Sequence, residues 1–129
     1  MGAAREQSKY RVQMDTSQWL IIDAVIDNTI AIEVVDGDPG IVDLGDSIRH
    51  AGWEQVPDWP HDAEALKTWP PAGQQVTMSL TGQQWSLVAS QLERWAAVSD
   101  RLADGNENAE RGIVALVLAQ LSAQGWSNR

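Results

Sequence analysis

The residues best suited to acid–base chemistry are two histidines and the aspartates beside them. Asp46 and His50 are four positions apart, a spacing that puts both side chains on one face of a helix. A carboxylate that orients an imidazole is one element of a general base. His61 and Asp62 form a second, adjacent pair. Because the chain has no cysteine and no Gly-x-Ser-x-Gly sequence to supply a nucleophile, the pattern favours solvated histidines, and no catalytic residue is predicted.

Four aspartates follow one another closely, at Asp36, Asp38, Asp43 and Asp46. Calcium sites draw several carboxylates from one loop, but the glycine and terminal glutamate of an EF-hand are missing from their positions here. We interpret the four residues as turn-forming aspartates and predict that they form the acidic surface that binds a partner protein. Zinc-ligand spacing, phosphate loops and dinucleotide motifs are also absent from the sequence, so no metal or cofactor is expected.

The distribution of charge is the clearest functional indication. The net charge is -9, and residues 15–66 contain twelve acidic residues with Arg49 as their single Lys or Arg. Residues 67–129 contain five acidic and five basic residues. This distribution argues against direct nucleic-acid binding, which needs a basic surface. It fits a basic protein partner, while solubility alone is the alternative explanation.

Aromatic residues suggest a second kind of contact. The chain contains seven tryptophans, one tyrosine and no phenylalanine. Most tryptophans are expected to anchor the core, because each buries a large apolar area. Trp53, Trp59 and Trp69 lie in a turn-rich segment beside the acidic residues, and an exposed cluster there would form an aromatic contact with a partner.

Apolar periodicity predicts the elements that position these residues. Alternation predicts strands near 10–14, 19–26, 29–35 and 76–80, with the middle two forming a hairpin across Asp27-Asn28. A helix over 17–27, capped by Thr16 or Ser17, is the alternative interpretation of the second strand. The segment 36–40 is a breaker, 41–43 is read as a short strand, and 47–51 is read as a short helix capped by Asp46.

A helical hairpin over 82–103 and 107–124 is predicted for the C-terminal part. Thr81 and Gln84 match a capping box at its start. Apolar residues then recur at helical steps, at Trp85, Val88, Leu92, Trp95 and Leu102. The second helix is apolar on more than one face, so it is expected between layers of the fold or in a dimer interface.

The sequence therefore predicts an α+β domain over residues 10–129 after a disordered N-terminus at 1–9. The preferred function is a small acidic protein-interaction module of the inhibitor, immunity, antitoxin or phage-borne antagonist type, with a basic partner. The alternative is a homodimeric structural or accessory module joined through the helical hairpin, and an enzyme comes third. A cytoplasmic location without membrane contact is expected, because the sequence has no long apolar run.

Overall fold

The fold combines a two-stranded antiparallel ribbon with helices, in a computed structural model that describes residues 8–60, 62–102 and 108–126. The predicted α+β class is confirmed, including the C-terminal helical pair. The predicted disordered segment 1–9 lies mostly outside the described residues. The elements, in chain order, are β1 Lys9–Asp15, α1 Thr16–Glu33, α2 Pro39–Gln55, α3 Ala63–Leu66, β2 Gln75–Thr81, α4 Gly82–Leu102 and α5 Ala109–Ala123.

The ribbon confirms the predicted strands near 10–14 and 76–80. Its register runs from Lys9 opposite Thr81 to Asp15 opposite Gln75. Successive side chains of a strand point to opposite faces, and one face of the ribbon is buried. The buried side chains are Val12, Met14, Val76, Met78 and Leu80.

Glutamine side chains close much of the outer edges of this ribbon. On β1, the Gln124 amide accepts from Arg11 N at 2.9 Å and donates to Arg11 O at 2.6 Å. Gln120 makes the same pair of bonds to Gln13, each at 2.8 Å. On β2, Gln55 bonds both backbone groups of Ser79, at 2.7 and 2.9 Å. The amides thus replace a neighbouring strand and protect edges that would otherwise pair with other chains.

The predicted hairpin of strands 19–26 and 29–35 is wrong, because both segments belong to the single helix α1. The alternative of a helix over 17–27 agrees with the structure, although α1 starts earlier and ends later. Asp15 precedes the helix, and its N–H donates to Oε1 of Gln18 at 2.9 Å. The buried residues recur at helical steps and form a core-facing stripe of Trp19, Ile22, Val25, Ile26 and Thr29. Burial of this stripe outweighs the small helix penalty of β-branched residues.

The predicted short strand at 41–43 is also wrong, because these residues belong to helix α2. The helix predicted at 47–51 is confirmed as helical but is only part of α2, which starts earlier and ends later. Asp38 begins it, accepting from Gly40 N at 2.8 Å, and Pro39 occupies the first turn. Proline is favoured there because its fixed φ suits a helix and its missing N–H is not needed. Only the preceding turn is non-helical, with Asp36 at a φ of 78°.

Helices α1 and α2 approach closely at two glycines. A Cβ atom on Gly52 would lie 2.4 Å from Nε1 of Trp19, and one on Gly45 would lie 2.8 Å from Cγ1 of Ile30. Trp19 is only 1% exposed, so its ring has little space to move aside. The two glycines are seven positions apart and therefore share one face of α2.

The C-terminal hairpin follows the sequence prediction with small shifts. The capping box is confirmed: Thr81 N donates to Oε1 of Gln84 at 2.8 Å, and Gln84 N donates to Oγ1 of Thr81 at 3.2 Å. Trp85 is fully buried, and its indole N–H donates to Tyr10 O at 2.9 Å. Helix α5 begins after Asn108, whose side chain accepts from Arg111 N at 3.0 Å. Residues 104–106, between the two predicted helices, lie outside the described residues.

Among the described residues, none of the helices combines the length and the apolar character needed to cross a membrane.

Replacing Gly52 with alanine should lower the free energy of unfolding by about 1–3 kcal/mol, because the new methyl group meets a buried indole ring. Gly112 in α5 is the control, since a Cβ there meets nothing within 4 Å. Gly112→Ala should stabilise by about 0.5–1 kcal/mol through helix propensity. Urea unfolding of both variants measures this, and a Gly52→Ala variant as stable as Gly112→Ala would contradict the close packing.

The double substitution Gln120→Ala and Gln124→Ala should speed amide hydrogen exchange at Arg11 and Gln13 and lower stability by about 1–2 kcal/mol. The reason is that the backbone N–H groups of Arg11 and Gln13 lose their acceptors, the side chains of Gln124 and Gln120, on the outer edge of β1. Gln83→Ala, at an exposed helix position, is the control. Unchanged exchange at Arg11 and Gln13 would show that the glutamines do not close the edge.

Candidate interaction surface

Helix α2 carries one exposed stripe that contains predicted site residues. Asp43, Asp46, His50 and Trp53 are separated by three, four and three positions, so they lie on one face of the helix. We call these four residues the α2 stripe. It spans about 15 Å at the rise of an α-helix. The sequence-predicted acidic residues thus belong to a rigid helix as well as to a loop.

Asp36 and Asp38 lie at the N-terminal end of the same helix. Both are exposed, and they flank Gly37 in the α1–α2 turn. Asp36 has a φ of 78°, a left-handed conformation that aspartate and asparagine adopt more readily than most residues. Asp38 caps α2, so it has a structural role besides its charge. The structure therefore places all four predicted acidic residues along α2 or at its start.

Arg49 balances charge between α1 and α2. Its guanidinium makes two bonds to Asp23, at 3.0 and 3.3 Å, and one to Asp27 at 2.9 Å. The Asp23 hydrogen bond is the main cause that raises the pKa of Arg49, and the nearby charges of Asp23, Asp27 and Asp46 add to it against an opposing effect of burial. The charge of Arg49 is thus committed to α1. Within the described residues, neither Asp43 nor Asp46 forms an ion pair.

The C-terminal half of the stripe borders an open groove of about 450 Å³, lined by Asp46, Ser47, Arg49, His50 and Trp53. Trp53 is 50% exposed. Cζ of Arg49 lies 5.4 Å from the centroid of the Trp53 ring. The His50 ring packs edge-on against Trp53, with the two ring centroids 6.2 Å apart. An exposed indole beside carboxylates can accept an apolar or cationic group from a partner.

The other two predicted aromatic contacts are directed inward. Trp59 and Trp69 stack with their ring centroids 4.8 Å apart, and both pack against the core. The indole N–H of Trp59 donates to Trp53 O at 3.0 Å, which ties this stack to the end of α2. Of the three predicted aromatic residues, Trp53 is therefore the one that a partner can reach most readily.

Asp46 and His50, whose spacing would suit a general base, do not form a hydrogen-bonded pair. Both residues border the same groove, but Nε2 of His50 lies 3.1 Å from Oε1 of Glu54. Both of those side chains are 68% exposed, so the pair is solvated. His61 lies outside the described residues. Within the described part of the chain, no three His, Cys, Asp or Glu side chains converge to hold a metal ion.

Sequence reasoning missed an exposed apolar group at the end of α1. Ile32, Val34 and Val35 are 45%, 63% and 76% exposed. The prediction of a strand over 29–35 placed Ile30, Ile32 and Val34 on one apolar face. The signal that could have revealed them is the pair Val34-Val35, which lies beyond the helical stripe and directly before the acidic turn.

Comparison with protein-family models, with curated proteins and with solved structures gave no match for this chain.

A double-mutant cycle on Arg49→Gln and Asp23→Asn should give a coupling energy of about 1–2 kcal/mol, because Asp23 is only 18% exposed and its contact with Arg49 has two bonds. The exposed pair Lys67–Glu64 is the control and should couple by less than about 0.5 kcal/mol. Thermal or urea unfolding of the four variants of each cycle measures both energies. Equal coupling in the two pairs would mean that Arg49 does not join α1 to α2.

Proposed function

We propose that this chain is a small acidic module that binds a basic protein partner through the α2 stripe and the adjoining α1–α2 turn. The observation that carries the proposal is the unbalanced charge of this surface. Arg49 is the single Lys or Arg of residues 15–66, and its guanidinium is committed to Asp23 and Asp27. Within the described residues, Asp36, Asp38, Asp43 and Asp46 form no ion pair, and Arg49 acts on Asp46 only through space.

The physical argument is one of complementarity and self-repulsion. Like charges concentrated on one side of a small domain repel one another and reduce its stability. A basic partner relieves that repulsion on binding and is attracted over a distance before contact. Nucleic acid is repelled by the same surface. A partner that itself binds nucleic acid would present the required basic groove. This chain would then act on that partner as an inhibitor, an immunity protein, an antitoxin or a phage-borne antagonist.

The apolar residues of the stripe and turn support binding over mere solubility. Protein interfaces combine a few buried anchors, often aromatic, with a polar rim. Here Trp53 lies at one end of α2 and Val34 lies near the other, with carboxylates between them. A surface adapted only for solubility would not be expected to expose large apolar side chains near both ends of α2.

The homodimer alternative loses part of its basis. It depended on surplus apolar surface along α5, but Ile113, Val114, Val117 and Leu121 are buried within the chain. Leu116 and Leu118 are partly buried and pack against the same core. The enzyme alternative depends on Asp46, His50 and His61. His50 lies beside Glu54 at 3.1 Å, and His61 is outside the described residues.

The test is the association rate with a partner captured from the native cell, measured by stopped flow across a salt series. Asp43→Lys should slow association about tenfold at low salt, because it reverses an exposed charge within the stripe. Glu93→Lys is the matched control, since it makes the same charge change at an exposed position on α4. Asp38 is avoided, because replacing a helix cap would also destabilise α2.

An association rate that does not fall with added salt would contradict the proposal. So would an Asp43→Lys effect no larger than that of Glu93→Lys, which would reduce the acidic surface to a source of net charge.

A further inference from the structure

A shallow apolar groove lies where α1 meets α2. It has a volume of about 330 Å³, and Val34, Pro39 and Val42 form its apolar wall. Val34 is 63% exposed there, and Ile32 and Val35, close by in the sequence, are 45% and 76% exposed. An exposed apolar side chain in a groove with polar residues around it can serve as a contact site for another molecule.

Carboxylates surround this apolar wall. Glu33, Asp36 and Asp43 also line the groove. Glu33 accepts from Asp38 N at 2.8 Å, which holds the rim in a fixed conformation through the turn. The groove therefore combines an apolar wall with a negative rim.

We propose that this groove binds an apolar side chain that projects from a basic segment of the partner, with flanking Lys or Arg side chains on the carboxylate rim. This inference rests on the proposed function and adds to it the kind of segment that is recognised. An amphipathic helix with apolar residues three or four positions apart among lysines or arginines has the required chemistry, because its apolar face and its charges are presented together.

The charge of the rim selects this occupant over two others. A second copy of the chain, docked about a two-fold axis, would bring the same patch and its carboxylates against themselves. An anionic membrane surface would be repelled by the same rim. A basic segment with an apolar side chain can contact the apolar wall and also pair its charges with the carboxylate rim. Charge complementarity therefore favours this occupant.

The experiment uses two synthetic peptides of equal length and charge, each labelled for fluorescence anisotropy. One is an amphipathic helix of lysines and leucines, and in the other every leucine is replaced by alanine. The leucine peptide should bind the full chain roughly tenfold more tightly, as expected for burying an apolar side chain. Val34→Ser should remove most of that difference and leave the alanine peptide unaffected. Leu66→Ser, which changes a 55% exposed residue outside the groove, is the matched control and should change neither affinity.

Each other result overturns the inference in a distinguishable way. Equal binding of the two peptides would show that the groove has no role, while leaving the proposed basic partner intact. An equal loss in Val34→Ser and Leu66→Ser would show non-specific apolar binding. Self-association of the chain that Val34→Ser abolishes would make a second copy the occupant. Failure of both peptides to bind at low salt would remove the proposed function as well.

Discussion

The contact between the Trp19 ring and Gly52 is the constraint on which the acidic surface depends. The ring lies so close to the α2 backbone that no side chain fits between them, and Gly45 allows the same approach at Ile30. Close packing of this kind fixes the relative position of two helices, because buried rings cannot shift without opening a void. Arg49 on α2 can then reach Asp23 and Asp27, which lie one turn apart on α1.

The consequence of that geometry is a separation of charge within one pair of helices. Arg49 offsets part of the negative charge of Asp23 and Asp27 at the seam between α1 and α2, whereas Asp43 and Asp46 on the exposed face of α2 form no ion pair within the described residues. A rigid surface has a low entropic cost of ordering when a partner binds, so charge held on a helix is better suited to recognition than charge on a loop. Trp53 and the apolar groove at Val34 add contacts that depend on shape, which charge alone does not provide.

The sequence was informative where local signals agree with the tertiary structure. The Thr81–Gln84 capping box and the alternation in both strands are such cases, since a half-buried ribbon and a helix start each leave a short, specific pattern. Helix α1 could not be assigned in that way, because its β-branched residues and the Asp27-Asn28 pair favour a hairpin locally. Burial of the apolar stripe of α1 against α2 and the core stabilises the helix instead.

The candidate site was predicted in composition but not in arrangement. The aspartates and Trp53 can be recognised by residue type. The common face of Asp43, Asp46 and Trp53 depends on α2, and the Asp38-Pro39-Gly40 sequence looks like a helix breaker at the place where α2 begins. The same three residues are a cap followed by proline in the first turn, a helix-start pattern when read in that direction. The inward stacking of Trp59 and Trp69 depends on contacts between distant parts of the chain and has no local signature.

The most direct test of the central claim is zero-length carbodiimide cross-linking of the chain to its captured partner, followed by mass spectrometry. This reagent joins a carboxylate to a lysine only where the two are in contact. The account predicts amide cross-links from Asp43 and Asp46 to lysines of the partner, and their loss at high salt, because salt screens exposed charge pairs. Cross-links confined to Glu93, Asp100 and Glu110, on the C-terminal hairpin, would contradict it.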